Sequence, residues 1–96
     1  MTVRIIGNLM ISSVEHHKPL SWDDGKLYCD MMNEIYNDWR MPTDKEVKIL
    51  HKNYVIISNC WTVSEYKAIA MYRKNSGTCI WDSRESLNYV IPVRTL

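Results

Sequence analysis

The sequence has no phenylalanine, and only three glycines, three prolines and three cysteines in 96 residues. Each shortage excludes something. So little glycine and proline excludes collagen-like and low-complexity chains. The cysteines, Cys29, Cys60 and Cys79, are odd in number and widely spaced. There is no Cys-x-x-Cys pair and no Cys/His cluster, so no structural zinc site is expected. Free, partly buried thiols in a reducing compartment are expected instead. An excess of one charge is also lacking: twelve Lys and Arg face eleven Asp and Glu, for a net charge of +1. That balance gives no bulk electrostatic reason for binding nucleic acid or a membrane surface. No run approaches the ~20 apolar residues of a membrane span. The start of the chain carries one basic residue, Arg4, and its apolar runs are broken by Gly7, Asn8, Ser12 and Ser13. It does not read as a secretion signal. The expected location is therefore a host cytoplasm or a virion.

What is present is the composition of a globular protein, 46% hydrophobic and 24% charged. The length fits one domain over residues 1–96. Residues 1–48 carry six basic and eight acidic side chains, and residues 49–96 carry six and three. The second half is mildly basic, but too weakly for a phosphate-tracking groove.

Residues 3–12 read as two short strands around a Gly7-Asn8 turn. Ser21 is an N-cap, with Asp23 and Asp24 in the first turn of the helix it opens. From Trp22, the apolar residues Leu27, Tyr28, Met31, Met32, Ile35 and Tyr36 fall at three-and-four spacings. That predicts an amphipathic helix of about 14 residues. Pro42 disfavours helix at Met41. Thr43 and Glu46 then form a capping box, opening a second helix to about His51 that buries Val47 and Leu50. Strands are expected at 54–58, 60–64 and 66–73, with a turn at Asn75-Ser76-Gly77 and a returning strand at 78–81. Residues 82–86 read as polar loop. Residues 88–94 read as a last strand, with Pro92 marking an edge or a bulge. Strands, two helices, then strands make an α+β fold.

Four blocks of this sequence resemble the Lcl C-terminal domain family of small bacterial and phage domains. They are Trp22 with Cys29; Asp38-Trp39-Arg40-Met41-Pro42-Thr43 with Glu46 and Leu50; Trp61-Thr-Val-Ser64-Glu65-Tyr66; and Tyr89-Val-Ile-Pro-Val-Arg94. The resemblance covers roughly residues 8–94. It implies a C-type-lectin-like fold, with two helices packed on a small, twisted, mostly antiparallel sheet. The departures are Met41 for Leu, Cys60 for Tyr, Thr62-Val63 for a serine pair and Ile91 for Arg. The glycine-rich approach to the Asp38 block is missing.

Trp22, Asp38, Trp39, Arg40, Pro42, Thr43, Glu46, Trp61 and Arg94 are assigned to architecture. Trp39 is expected to fill the helix–sheet seam, and Arg40 to anchor a carboxylate or loop carbonyls through its planar fork. His16 and His17 beside Glu15 read as solvated loop histidines, because no further ligand is visible in sequence. No metal and no cofactor are expected. Sugar-binding lectins use a Glu-Pro-Asn-type loop with a Trp-Asn-Asp-type strand. Here only Trp81-Asp82-Ser83 matches, so calcium is not expected. Catalysis is not expected either: the related formylglycine-generating enzymes need two neighbouring cysteines, and Cys79 has no partner in sequence.

The stretch 72–89 remains. Tyr72, Arg73, Lys74, Asn75, Trp81, Asp82, Arg84 and Tyr89 form the candidate binding surface, since Trp, Tyr and Arg dominate interface hot spots. The sequence thus points to a non-enzymatic recognition domain, phage- or prophage-encoded, engaging a protein partner through its C-terminal loops. The partner would be a host or a virion protein. A carbohydrate-binding module using Trp81 and Asp82 is the second reading, and a remote relative of the cysteine enzymes the third. A homo-oligomer is compatible with all three.

Overall fold

In the computed structural model, which describes residues 2–56, 58–63 and 70–96, the chain opens with a hairpin. Strands β1 (Arg4–Ile6) and β2 (Leu9–Ile11) pair antiparallel around the Gly7-Asn8 turn. A 3₁₀ turn (Val14–His16), strand β3 (Lys18–Leu20), helix α1 (Trp22–Met31) and helix α2 (Asp44–Lys52) follow. Then come β4 (Cys60–Thr62), β5 (Ala70–Arg73), β6 (Thr78–Ile80), β7 (Asn88–Val90) and β8 (Val93–Thr95). The class is α+β, with two helices and mostly antiparallel pairing. Among the described residues the strands form two sheets, ordered β1-β2-β8 and β3-β7-β4-β5-β6. Among the described strands, only β4 and β7 run parallel, and an isolated parallel bridge joins Thr43 and Val63.

The closing segment corrects the expectation of one strand over residues 88–94. Its first half belongs to the larger sheet and its second half to the smaller, with Ile91-Pro92 as the crossing. Pro92 has no N–H and cannot continue a ladder. Its carbonyl instead accepts from Ser12 N at 3.0 Å. The proline marks neither an edge nor a bulge but the point where the chain changes sheets. Next to it, Arg40 and Val93 exchange two backbone bonds of 2.9 and 2.8 Å.

Helix α1 is shorter than expected, and it buries a different stripe. It ends at Met31; Met32 is already extended, and Ile35 is left-handed at φ 63°. The indole N–H of Trp39 donates to the carbonyls of Glu34 and Tyr36, both at 3.1 Å, and holds the chain off the helical path. The buried stripe is Trp22, Gly25 and Cys29, continued by Met32. Leu27 is 56% exposed and Met31 72%, and Ile35 and Tyr36 are exposed too. Two stripes of helical spacing coexist in this sequence, and close approach to β7 selects between them. A Cβ on Gly25 would lie 2.5 Å from Val90 Cγ2. Only glycine lets the helix sit that near the strand.

Helix α2 starts at the expected capping box. Thr43 Oγ1 accepts from Glu46 N, and Glu46 Oε1 accepts from Thr43 N. Val47 and Leu50 are buried as expected. Its end takes the start of the strand expected at 54–58. Tyr54 N donates to the His51 carbonyl and Val55 N to the Leu50 carbonyl, with Tyr54 left-handed at φ 60°. That is a Schellman closure, in which the two N–H groups serve the helix end and not a ladder. Ile57 and residues 64–69 lie outside the described residues, and with them the first half of the 66–73 strand and the Ser64-Glu65-Tyr66 part of the family resemblance. The hairpin of β5 and β6 is as expected, with Gly77 at φ +68° closing the turn through a 2.8 Å bond to the Arg73 carbonyl.

The core has two main clusters. Leu9, Ile11, Val47, Leu50, Ile56, Cys60, Tyr72, Ile91 and Val93 pack around α2 and the sheet crossing. Trp22, Cys29, Met41, Trp61, Met71 and Val90 pack beneath α1. Trp39 joins Met10 and Met32 in a third cluster. No helix among the described residues is long and apolar enough to cross a membrane.

Candidate functional site

The Asp38–Glu46 segment is knitted to the end of the chain. Arg40 forks onto Glu46 at 2.6 and 2.9 Å and reaches Thr95 Oγ1 at 2.8 Å. Arg94 forks onto Asp38 at 2.6 and 3.2 Å and lies 3.7 Å over the Tyr36 ring. Paired planar forks of this kind fix geometry as well as charge. The Arg40 hydrogen bonds hold the Glu46 carboxyl below its ordinary value, and those from Arg94 do the same for Asp38. Pro42 is fully buried. Trp61 is fully buried and donates its indole N–H to the Leu20 carbonyl at 2.8 Å. The Trp22 indole N–H is buried and has no partner among the described residues.

The candidate surface divides. Tyr72 is a correction: it is 2% exposed, part of the core, and its hydroxyl meets His51 Nδ1 at 2.5 Å. The alternation of β5 turns Tyr72 inward beside Cys60 and Cys79 and leaves Arg73 outside. Tyr89 is half-buried against the same core cluster. Arg73, Lys74 and Asn75 sit at the turn end of β6, whereas Trp81, Asp82 and Arg84 sit at its other end. One continuous surface over all eight residues is therefore not formed.

The loop at residues 81–87 has the more distinctive build. Asp82 organises it from within. Its Oδ1 accepts from Ser83 N at 2.8 Å and from Ser86 Oγ at 3.2 Å, and its Oδ2 accepts from Asn88 Nδ2 at 3.0 Å. The Asn88 bond leads in holding the Asp82 carboxyl below its usual range. Its oxygens are committed to the loop, not offered outward. Arg84 ties the loop to α1: it forks onto Asp23 at 2.7 and 3.2 Å, packs over the Trp22 ring, and its carbonyl accepts from Trp22 N. The side chains left outside this frame are Trp81, 62% exposed, and Leu87, 69% exposed. Sequence reading missed Leu87, although an apolar residue closing a polar loop was a visible signal. It also missed Asp23 as the partner of Arg84, which no local spacing signals.

Cys29 and Cys60 are buried and Cys79 is half-buried. Burial pushes the Cys29 and Cys60 thiols up to about 12, and Cys79 up to about 11. Cys79 does have a cysteine neighbour, which sequence reading did not see: the strand register sets Cys60, Tyr72 and Cys79 in one row. Two strand spacings put the two cysteines ~9.5 Å apart, beyond disulfide reach.

The histidines correct the expectation of solvated loop side chains. His16 is half-buried on the 3₁₀ turn, with Nδ1 2.7 Å from the Tyr28 hydroxyl and Nε2 paired with Glu34. Ser13 Oγ lies 2.9 Å from Glu15 Oε1 and 3.2 Å from Glu34 Oε1. His17 bonds the Ser12 carbonyl, and burial holds it below the ordinary histidine value. Glu34 comes from the connection after α1, and its convergence on His16 has no signature in sequence spacing.

Two cavities flank α1. One, of about 330 Å³, is lined by Trp22, Lys26, Cys29, Asp30, Arg40, Met41 and Val63. The other, of about 400 Å³, is lined by Leu20, Asp24, Leu27, Tyr28, Met31 and Met32. No protein-family model matches this chain, and no curated protein is significantly similar to it.

Proposed function

We propose that this chain is a non-enzymatic recognition domain that holds a protein partner against its 81–87 loop. The observation that carries the reading is Trp81 and Leu87 standing exposed on a loop already fixed by the Asp82 bonds and the Arg84–Asp23 fork. A loop ordered before binding loses little conformational entropy on docking. An exposed Trp on such a loop is the kind of anchor that dominates protein interfaces. The raised thiols of Cys29, Cys60 and Cys79 support the non-enzymatic part, since the thiolate is the nucleophile. A C-type-lectin-like, Lcl-type assignment, with a phage or prophage origin, fits this reading and rests on the Asp38–Glu46 and Tyr89–Arg94 blocks.

The test is capture from host lysate and from purified virions, with the wild-type domain beside a Trp81→Ala/Leu87→Ala double variant. A stoichiometric partner held by the wild type and lost by the variant is the expected result. A partner held equally by both, or no partner from either source, would refute the proposed surface.

A further inference from the structure

We propose that Glu15, His16 and Glu34 form a binding site for a divalent transition-metal ion of the zinc type. One ligand atom from each of these side chains lies within 4.8 Å of the others. Zinc–nitrogen and zinc–oxygen bonds of ~2.0–2.2 Å set tetrahedral donors about 3.4 Å apart, so modest side-chain adjustment closes the set. Glu15 is the exposed member of the set, whereas His16 and Glu34 are half-buried and paired with each other.

The donor chemistry selects the class of ion. Two carboxylates and a neutral imidazole carry two negative charges, matching a divalent cation. A nitrogen donor with only three protein ligands suits zinc and its neighbours. Calcium wants six to eight oxygens, more than this cluster offers. Three protein ligands leave the fourth position for water or for an atom of a partner.

The surroundings fit the role. The Tyr28 hydroxyl contacts His16 Nδ1, which fixes the ring and directs Nε2 toward Glu34. A group that orients the second nitrogen of a ligating histidine is a regular part of such centres. Ser13 Oγ contacts carboxylate oxygens of both Glu15 and Glu34, so one hydroxyl holds the two acids facing the same space. The ion would join the 3₁₀ turn to the α1–α2 connection, which the Ser13–Glu34 and His16–Glu34 contacts already bring together. Lys18 is the nearby cation, but it lies 5.0 Å over the Tyr28 ring, outside the donor set.

The test is calorimetric titration of the reduced protein with zinc chloride in a non-chelating buffer, with thermal unfolding run alongside. One ion per chain and a raised unfolding temperature are expected for the wild type. His16→Ala and Glu34→Gln should each weaken zinc binding at least tenfold. His17→Ala and Cys79→Ser should leave it unchanged, which separates this site from the other histidine and from the most accessible thiol. Glu34→Gln keeps the side chain's size and an acceptor for His16, so its metal-free unfolding should match the wild type. Absence of saturable wild-type binding below about 1 mM would overturn the site. So would binding that survives in both His16→Ala and Glu34→Gln, or that is lost with Cys79→Ser.

Discussion

Helix α2 turns Val47 and Leu50 into the core and leaves only Ile49 of its apolar residues in solvent, whereas α1 leaves Leu27 and Met31 there. Their ends differ as well. A capping box opens α2 and a Schellman closure ends it. A single side-chain bond, 3.3 Å from Asp24 N to Ser21 Oγ, caps the start of α1, no basic residue lies in its last turn, and the buried indole N–H of Trp22 has no partner among the described residues. Helix α2 is specified by its own sequence. Helix α1 is specified by what it lies on: Gly25 against Val90 below, and the 81–87 loop at its first turn. The difference separates a scaffold element from a presenting one. Leu27 and Met31 of α1, like Trp81 and Leu87, are apolar groups that the core does not use.

The comparison breaks most visibly in the core. Leu50→Ala should cost about 2–5 kcal/mol in urea unfolding, because a fully buried side chain leaves a cavity. Leu27→Ala on α1 should stay within about 0.5 kcal/mol. Similar costs for the two would erase the distinction. Next comes Gly25→Ala, normally a gain in a helix. Here it should cost about 1–3 kcal/mol through overpacking against Val90. Combined with Val90→Ala, the total should fall below the sum of the single changes.

The third change is Glu46→Gln, which removes the charge and one acceptor oxygen of the Arg40 fork but keeps an acceptor for Thr43 N, for about 1 kcal/mol. It carries a pH signature. The folded Glu46 carboxyl lies below its unfolded value, chiefly through the Arg40 bonds. Its stabilisation is therefore complete above the ordinary glutamate range, about pH 4.3, and is lost as pH falls through the lowered folded value. The variant should flatten the acid limb of the stability profile in part, since Asp38 and Asp82 are held low as well. The smallest change expected is a gain. Tyr54 holds a left-handed conformation that costs a side chain ~1–2 kcal/mol, and glycine's added unfolded-state entropy returns ~0.5–1 of it. Tyr54→Gly should thus stabilise by about 0.5 kcal/mol in the same urea experiment.

What the sequence made legible was local. Thr43 and Glu46 announce α2 because both partners of a capping box lie within four residues. Gly7-Asn8 and Asn75-Ser76-Gly77 announce their turns for the same reason. The failures arise where distant chain decides. Spacing from Trp22 cannot tell which of two apolar stripes faces the core, because Val90 makes that choice. The run 54–58 is rich in strand formers, yet the N–H groups of Tyr54 and Val55 were already committed to closing α2. Pro92 signals an interruption, but only the two-sheet arrangement shows that the interruption is a crossing. At the candidate site, Trp81 and Arg84 were legible by residue type. The inward turn of Tyr72, the Arg84–Asp23 fork and the meeting of Glu34 with His16 depend on pairings 18 to 61 residues apart, or on strand register.

The most direct test of recognition by a preformed loop measures two properties of the Trp81→Ala/Leu87→Ala variant together. Its urea unfolding should match the wild type within about 0.5 kcal/mol, because both side chains are exposed. Its affinity for the captured protein partner, measured by calorimetry, should fall by about 2 kcal/mol or more, some thirtyfold. A partner bound with unchanged affinity by a variant of unchanged stability would contradict the account.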